Sequence, residues 1–167
     1  EALEMKRPTL YWYYKDLGEI FEAVLEHHLS EQLATRIANL QEIDHPIDFL
    51  DRYIGTIREF YEGRESFILA LFQLGAASIR AADPDSILHR TTRFFERFRE
   101  AAGLLVQAGI DNGQVKPCDA RQLIDLVGVF VDGLLVHRIA RGLDLEPLHH
   151  LFREMVLNPL RVDTSSQ

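Results

Sequence analysis

Prolines and glycines divide this chain so regularly that little besides a stack of helices can satisfy it. Pro46, Pro84, Pro117 and Pro147 each open a periodic segment, with an acidic residue within two positions in every case. Proline loses no hydrogen bond in the first helical turn, and carboxylates there meet the positive end of the helix dipole. Gly63, Gly113 and Gly142 fall where segments should stop, as glycines of left-handed C-caps do. Asp111-Asn112-Gly113 is the strongest turn signal in the chain. No stretch alternates apolar and polar residues for more than a few positions, so strand signals are nearly absent. An all-α fold follows, with helices expected over 9–14, 17–42, 47–62, 65–82, 85–111, 118–141 and 147–157.

A chain of 167 residues, 47% hydrophobic and 26% charged, can bury one substantial core. Its lone cysteine, Cys118, excludes an intramolecular disulfide framework and suits a reducing cytoplasm. The longest apolar run, Phe67 to Ile79, is broken by Gln73 and Ser78 and is too short to span a bilayer. The net charge of −8 lies wholly in residues 17–167, because the first sixteen positions balance. That distribution excludes a broad nucleic-acid-coating surface but leaves room for a small basic head on an acidic body.

Helical periodicity assigns faces. Over 17–42, Ile20, Val24, Leu25, His28, Leu29 and Gln32 share one side of a lever-like element. Over 47–62, Leu50, Tyr53, Ile54, Ile57, Phe60 and Tyr61 form a wide apolar stripe. The 65–82 helix is apolar almost all round and is expected in the middle of the body. In 85–111, Phe94, Phe95, Phe98, Ala102, Leu105 and Ala108 read as buried, while Arg90, Arg93 and Arg97 form a solvated edge paired with Glu96 and Glu100.

The 118–141 helix carries two stripes, one of Leu123, Val127, Phe130 and Leu134, the other of Ile124, Val131, Leu135 and Ile139. A helix buried on two sides needs two partners, one of which can be another chain. Gly128 and Gly133 cost about 1 kcal/mol each against alanine inside a helix, which suits close helix approach. With Leu148, Leu151, Phe152 and Met155 of the last helix, Leu123, Val127, Gly128, Phe130 and Leu134 make a candidate four-helix dimer interface.

Enzymatic and metal readings find no support. There is no glycine-rich phosphate loop, His-Glu-x-x-His helix or paired-cysteine site. The one Glu-x-x-His match, Glu146-Pro147-Leu148-His149, lies at a helix start with a proline inside it. His27-His28 and His149-His150 are adjacent pairs that diverge by about 100° on a helix, so neither pair chelates one ion. They read as surface or boundary residues. His137 lies in the doubly buried helix beyond Leu134, where a polar ring needs a partner. No metal, cofactor or catalytic residue is expected.

What remains is the start of the chain. Met5-Lys6-Arg7-Pro8-Thr9-Leu10-Tyr11-Trp12-Tyr13-Tyr14-Lys15-Asp16 combines basic residues, a helix-starting Pro-Thr and four consecutive aromatics. Leu10 and Tyr14 share one helical side and continue into Leu17, Ile20 and Phe21. Four aromatics exceed what one face can bury, so Trp12 with its neighbours Tyr11 and Tyr13 must point partly outward. Hydroxyls, aromatics and cations on a short helix fit a phosphate-lined groove; they equally fit an amphipathic helix with a sticky rim.

The wording of this segment is similar to a known family. Pro8-Thr9-Leu10-Tyr11-Trp12-Tyr13-Tyr14-Lys15-Asp16, followed by Ile20-Phe21-Glu22-Ala23-Val24-Leu25, closely resembles the recognition helix and next helix of TetR-family transcriptional repressors. The pattern there is Thr-Leu-Tyr-x-x-Phe, a small polar residue, a lysine and a long connecting helix. Two positions depart from it: Leu17 stands in place of the usual lysine, and Glu4 in place of a helix-ending glycine. The resemblance implies the C-terminal part of a helix-turn-helix DNA-binding domain over 1–25 and a ligand-binding and dimerisation domain over 26–167. A chain beginning at Glu1 holds half of such a motif, and it is expected to sense and dimerise better than it reads DNA.

The same resemblance implies operator double-stranded DNA, a small-molecule effector and a second copy of the chain as partners. DNA contacts would come from Lys6, Arg7, Thr9, Tyr11, Trp12, Tyr13 and Lys15. The effector pocket would be walled by Tyr53, Ile57, Phe60, Phe67, Leu71, Phe94, Phe98 and Val131, with Gln73, Thr91 and His137 as polar contacts. The abundance of phenylalanine favours an apolar or aromatic effector. The alternative is a helical dimeric interaction module without DNA binding, which the acidic body and the two departures favour.

Overall fold

The computed structural model describes residues 12–14, 19–20, 23–24, 27, 43, 45–70, 72–73 and 87–162, with the side chains of 87–94 excepted. The regular elements among them are helices, with one isolated antiparallel bridge between Val115 and Arg161. The first long helix, α1, spans Pro46–Tyr61. A second, α2, covers 65–70 and 72–73. They are followed by α3 at Ile87–Asp111, α4 at Ala120–Arg141 and α5 at Glu146–Phe152. A π-turn over Arg153–Leu157 and a 3-10 turn over Asn158–Leu160 continue α5.

The termini form for the reasons legible in the sequence. His45 caps α1, its Nδ1 accepting the Ile47 N–H at 3.2 Å, with Pro46 in the first turn. Asp119 caps α4 by accepting the Gln122 N–H at 3.0 Å. The helix expected from 118 therefore starts two residues later, and half-buried Cys118 lies just before the cap. Gly63, Gly113 and Gly142 adopt φ of 70°, 73° and 62°, the left-handed region that ends a helix without strain.

Among the described residues the central element is α1. Ile47, Phe49, Leu50, Tyr53, Ile54, Ile57, Phe60 and Tyr61 are all buried, and Gly55 and Thr56 are buried with them. In α2, Ile68 is buried but Leu69, Phe72 and Gln73 are exposed. All-round apolarity therefore does not mean all-round burial. Helices α3 and α4 pack on α1 and on each other. Phe98 of α3 lies against Phe49 and Tyr53, with ring centroids 5.8 and 4.5 Å apart. Gly109 lets the end of α3 touch the start of α1, since a Cβ there would come within 2.6 Å of Pro46 Cγ.

The chain end returns to this junction. The Lys116 N–H donates to the Leu160 carbonyl at 2.7 Å, and the Val162 N–H donates to Gln114 at 3.0 Å. Arg161 grips Asp48 with both guanidinium branches, at 2.5 and 2.7 Å. That bidentate bond holds the Asp48 carboxyl below its ordinary range. One expectation fails at α5. His149 is buried, not at the surface, with Nε2 2.8 Å from Asp51 and its ring 3.5 Å from the position a Gly55 Cβ would take. The missing side chain of Gly55 opens the space for the ring, and Asp51 supplies its polar partner. His150, its neighbour, is exposed and meets Arg153.

Candidate functional site

Three regions were singled out by the sequence, and the described residues treat them differently. At the start of the chain, Trp12 and Tyr13 lie in a turn with 88% and 79% of their surface exposed, and half-buried Tyr14 follows without helical structure. The expected 9–14 helix therefore does not run through residues 12–14. Trp and Tyr are middling helix formers, and six residues are too few to hold a helix without packing. The outward direction of Trp12 and Tyr13 agrees with the expectation. Lys6, Arg7, Thr9, Tyr11 and Lys15 lie outside the described residues, as does most of the 17–42 segment.

In the body, the residues expected to wall a pocket divide into three groups. Tyr53, Ile57 and Phe60 of α1 and Val131 of α4 are buried, and half-buried Phe98 and Phe67 join them. Gln73 and His137 are exposed. Leu71 and the side chains of Thr91 and Phe94 lie outside the described residues. His137 is a correction. The buried stripe of α4 runs from Leu134 to half-buried Arg138, whose Nε donates to Glu65 at 2.8 Å, while position 137 lies about 100° round the helix from Arg138 and is exposed.

The sequence missed the polar surroundings of this aromatic wall. Burial pushes the Tyr53 phenol up to about 12, with the nearby Asp132 carboxylate adding to the effect. Tyr61, stacked on Phe67 at 6.2 Å, is raised for the same reasons. Asp132 itself titrates above the usual carboxylate range because its neighbours displace water from it, with Arg99 opposing that shift. Only the fold brings Asp132 and Arg99 to these phenols, since they come from helices α4 and α3, far from α1 in sequence. Among the described residues, no three His, Cys, Asp or Glu side chains converge as metal ligands would. None of the described helices is long and apolar enough to cross a membrane.

The third region is the outer face of α4 and α5, where the expected register is corrected. Leu123, Val127 and Leu134 belong to the protomer's own core, and Phe152 is buried beside them. The two stripes read from the sequence are separated by about 100° on the helix, and they merge into one wide face packed on α1 and α3. The outward apolar residues are a third set: Leu126, Val129 and Val136, with Gly133 and Ala140 between and beyond them. Leu148, Leu151 and Met155 of the last helix are exposed as expected. Half-buried Phe130 joins the two helices by stacking on Phe152, with centroids 4.0 Å apart. Gly128 makes room within the protomer, because the Arg99 guanidinium rests 3.4 Å from where its Cβ would be.

This arrangement of helices has a solved counterpart. The chain is similar to the crystal structure of PfmR, a TetR family transcriptional regulator from Thermus thermophilus, with a TM-score of 0.75. The superposition covers 94% of this chain and 84% of that one at 18% sequence identity, a likeness of fold. No protein-family model matches the sequence, and no curated protein matches it either.

Proposed function

We propose that this chain is the sensing and pairing body of a ligand-responsive, DNA-binding transcriptional regulator of the cytoplasm, acting as a repressor. The observation that carries the reading is the likeness of fold to a TetR family regulator over 94% of the chain. The Pro8–Asp16 wording supports it independently, and so do the outward-facing Trp12 and Tyr13. In this reading Lys6, Arg7 and Lys15 hold phosphates, while Thr9, Tyr11, Trp12 and Tyr13 meet the major groove.

Two copies pair through the outer face of α4 and α5, so that two recognition segments reach successive grooves about 34 Å apart. A small apolar or aromatic effector is taken up beside the Tyr53, Phe60, Phe98 and Val131 wall. It favours a state in which the segment over 17–42 has swung and the groove spacing is lost. The coupling requires only a differential affinity for two states, typically about 1–3 kcal/mol. The reading is tested with full-length protein bearing Trp12→Ala or Lys15→Ala. Each substitution is expected to weaken operator binding at least tenfold while circular dichroism stays unchanged, and unaltered binding in both would remove the groove assignment.

A further inference from the structure

The ends of α1 and α4 and the start of α2 border a cleft that lies apart from the three regions above. It holds about 310 Å³ of space, part of it open to solvent, near the lower end of the roughly 300–1,000 Å³ usual for ligand pockets. Buried Ile68, Leu135 and Leu145 line it, together with Tyr61, Arg58 and Arg138. Arg138 is engaged on both sides, its Nε donating to Glu65 at 2.8 Å and its Nη1 to the Leu143 carbonyl at 3.1 Å. Arg58 is not. Its Nη2 meets Glu146 Oε2 at 2.5 Å, but its Nε is buried and has no hydrogen-bond partner among the described residues. Nε and Nη2 share one edge of the guanidinium, spaced to take both oxygens of a single carboxylate. Glu146 therefore meets that edge with one prong and leaves a buried donor unmade, which is unfavourable. The nearly buried phenol of Tyr61 is a second donor without a hydrogen-bond partner among the described residues.

We propose that this cleft binds a short-chain monocarboxylate, whose two oxygens take the Nε–Nη2 edge of Arg58 in place of Glu146 while its chain lies on Ile68, Leu135 and Leu145. The lining selects that class. Its unmet polar groups are donors, so the ligand presents acceptors, and the three buried aliphatic side chains favour a short hydrocarbon tail. Charge limits the anion to one unit. Glu62 and Asp144 also line the cleft, and Asp144 is already committed, accepting the Glu146 N–H at 3.1 Å. A monocarboxylate replaces the charge of Glu146 one for one, whereas a phosphate dianion would add to the carboxylates already there. Glu146 is the group that yields, because its side chain is 59% exposed and loses little by turning to water. Its release unties the start of α5 from the end of α1. The cleft shares no lining residue with the Tyr53, Phe60, Phe98 and Val131 wall, and it stands whether or not the protein reads DNA.

Titration of full-length protein with sodium butyrate, against sodium chloride at matched ionic strength, tests this by nuclear magnetic resonance. The arginine Nε–H signal of Arg58, assigned by its disappearance in Arg58→Lys, is expected to shift saturably with butyrate and to stay in place with butylamine. Saturation transfer to the butyrate methyl group then compares variants. Glu146→Ala removes the competing carboxylate at an exposed position and is expected to tighten butyrate binding at least fivefold. Arg58→Lys, which keeps the charge but loses the two-donor edge, is expected to weaken it at least tenfold. An Arg58 signal unmoved by tens of millimolar butyrate would overturn the proposal and leave the Nε–H to a bound water. Unchanged affinity in Glu146→Ala would overturn the exchange with Glu146, and that variant does not disturb the buried arginine. Formate binding as tightly as butyrate would overturn the role of the aliphatic floor, and phosphate binding more tightly than butyrate would overturn the carboxylate class.

Discussion

Gly109 offers a sharp test of how the body is locked together. Replacing it with alanine places a methyl group 2.6 Å from Pro46 Cγ and 3.0 Å from Val115 Cγ2. Neither neighbour can easily give way. Pro46 is a rigid ring in the first turn of α1, and Val115 is held by the bridge to Arg161. Forcing a methyl into a packed site costs about 1–3 kcal/mol. Alanine recovers up to about 1 kcal/mol of helix propensity, leaving a net loss of up to about 2 kcal/mol. For a chain of this size that corresponds to a Tm lower by up to about 4–8 °C. Gly103→Ala is the internal control, because its added Cβ meets nothing within 4 Å. Propensity alone then predicts a Tm higher by about 2–3 °C. Differential scanning calorimetry on both variants decides the matter. Shifts of the same sign would refute the claim that close approach of α3 to α1, and not the glycine's backbone freedom, sets the requirement at 109.

Two further predictions concern pH. Asp48 is held below its ordinary pKa by Arg161, so its contribution is present at neutral pH and is lost as pH falls through the lowered value. Urea midpoints measured from pH 6 down to about 2, below the reference carboxylate range, should therefore fall less steeply in Asp48→Asn than in the unsubstituted protein. Equal slopes would show that the bidentate contact carries no linkage. Tyr53 and Tyr61 behave in the opposite sense, with folded pKa values above the ordinary 10. Their neutral burial is fully stabilising below pH 10 and is lost as pH climbs towards about 12. Tyrosinate absorbance should show two phenols that ionise only with unfolding, and Tyr53→Phe/Tyr61→Phe should remove that late component.

Much of this fold was legible because local chemistry decides it. Pro46, Asp119, Gly113 and Gly142 act through their own backbone geometry, so their helices begin or end within two residues of the expected positions. The faces of α4 were less legible. Its apolar residues surround so much of the helix that periodicity yields several stripes, and only the placement of α1 and α3 decides which of them point inward. Periodicity therefore assigns Leu123, Val127 and Leu134 to a partner though their own chain covers them, and it passes over Leu126 and Val129. His149 escapes notice for a different reason. Its burial depends on the space at Gly55 and the carboxylate of Asp51, almost a hundred positions earlier in the chain. The return of Arg161 to Asp48 is similarly long-range and leaves no periodic trace. The aromatic-basic start has the reverse character, since its wording is informative while its expected helix does not extend through Trp12 and Tyr13.

The central claim is that this helical body serves a regulator that reads duplex DNA as a pair. Selection from random duplexes by the full-length protein tests it most directly, with binding then measured as a function of salt. The account predicts enrichment of one inverted-repeat sequence whose half-sites lie about one helical turn, or a multiple of it, apart. Affinity should exceed that for scrambled duplex by about a thousandfold or more, and it should weaken steeply as salt rises. Recovery of no preferred sequence, with equal affinity for selected and scrambled duplexes, would contradict the account.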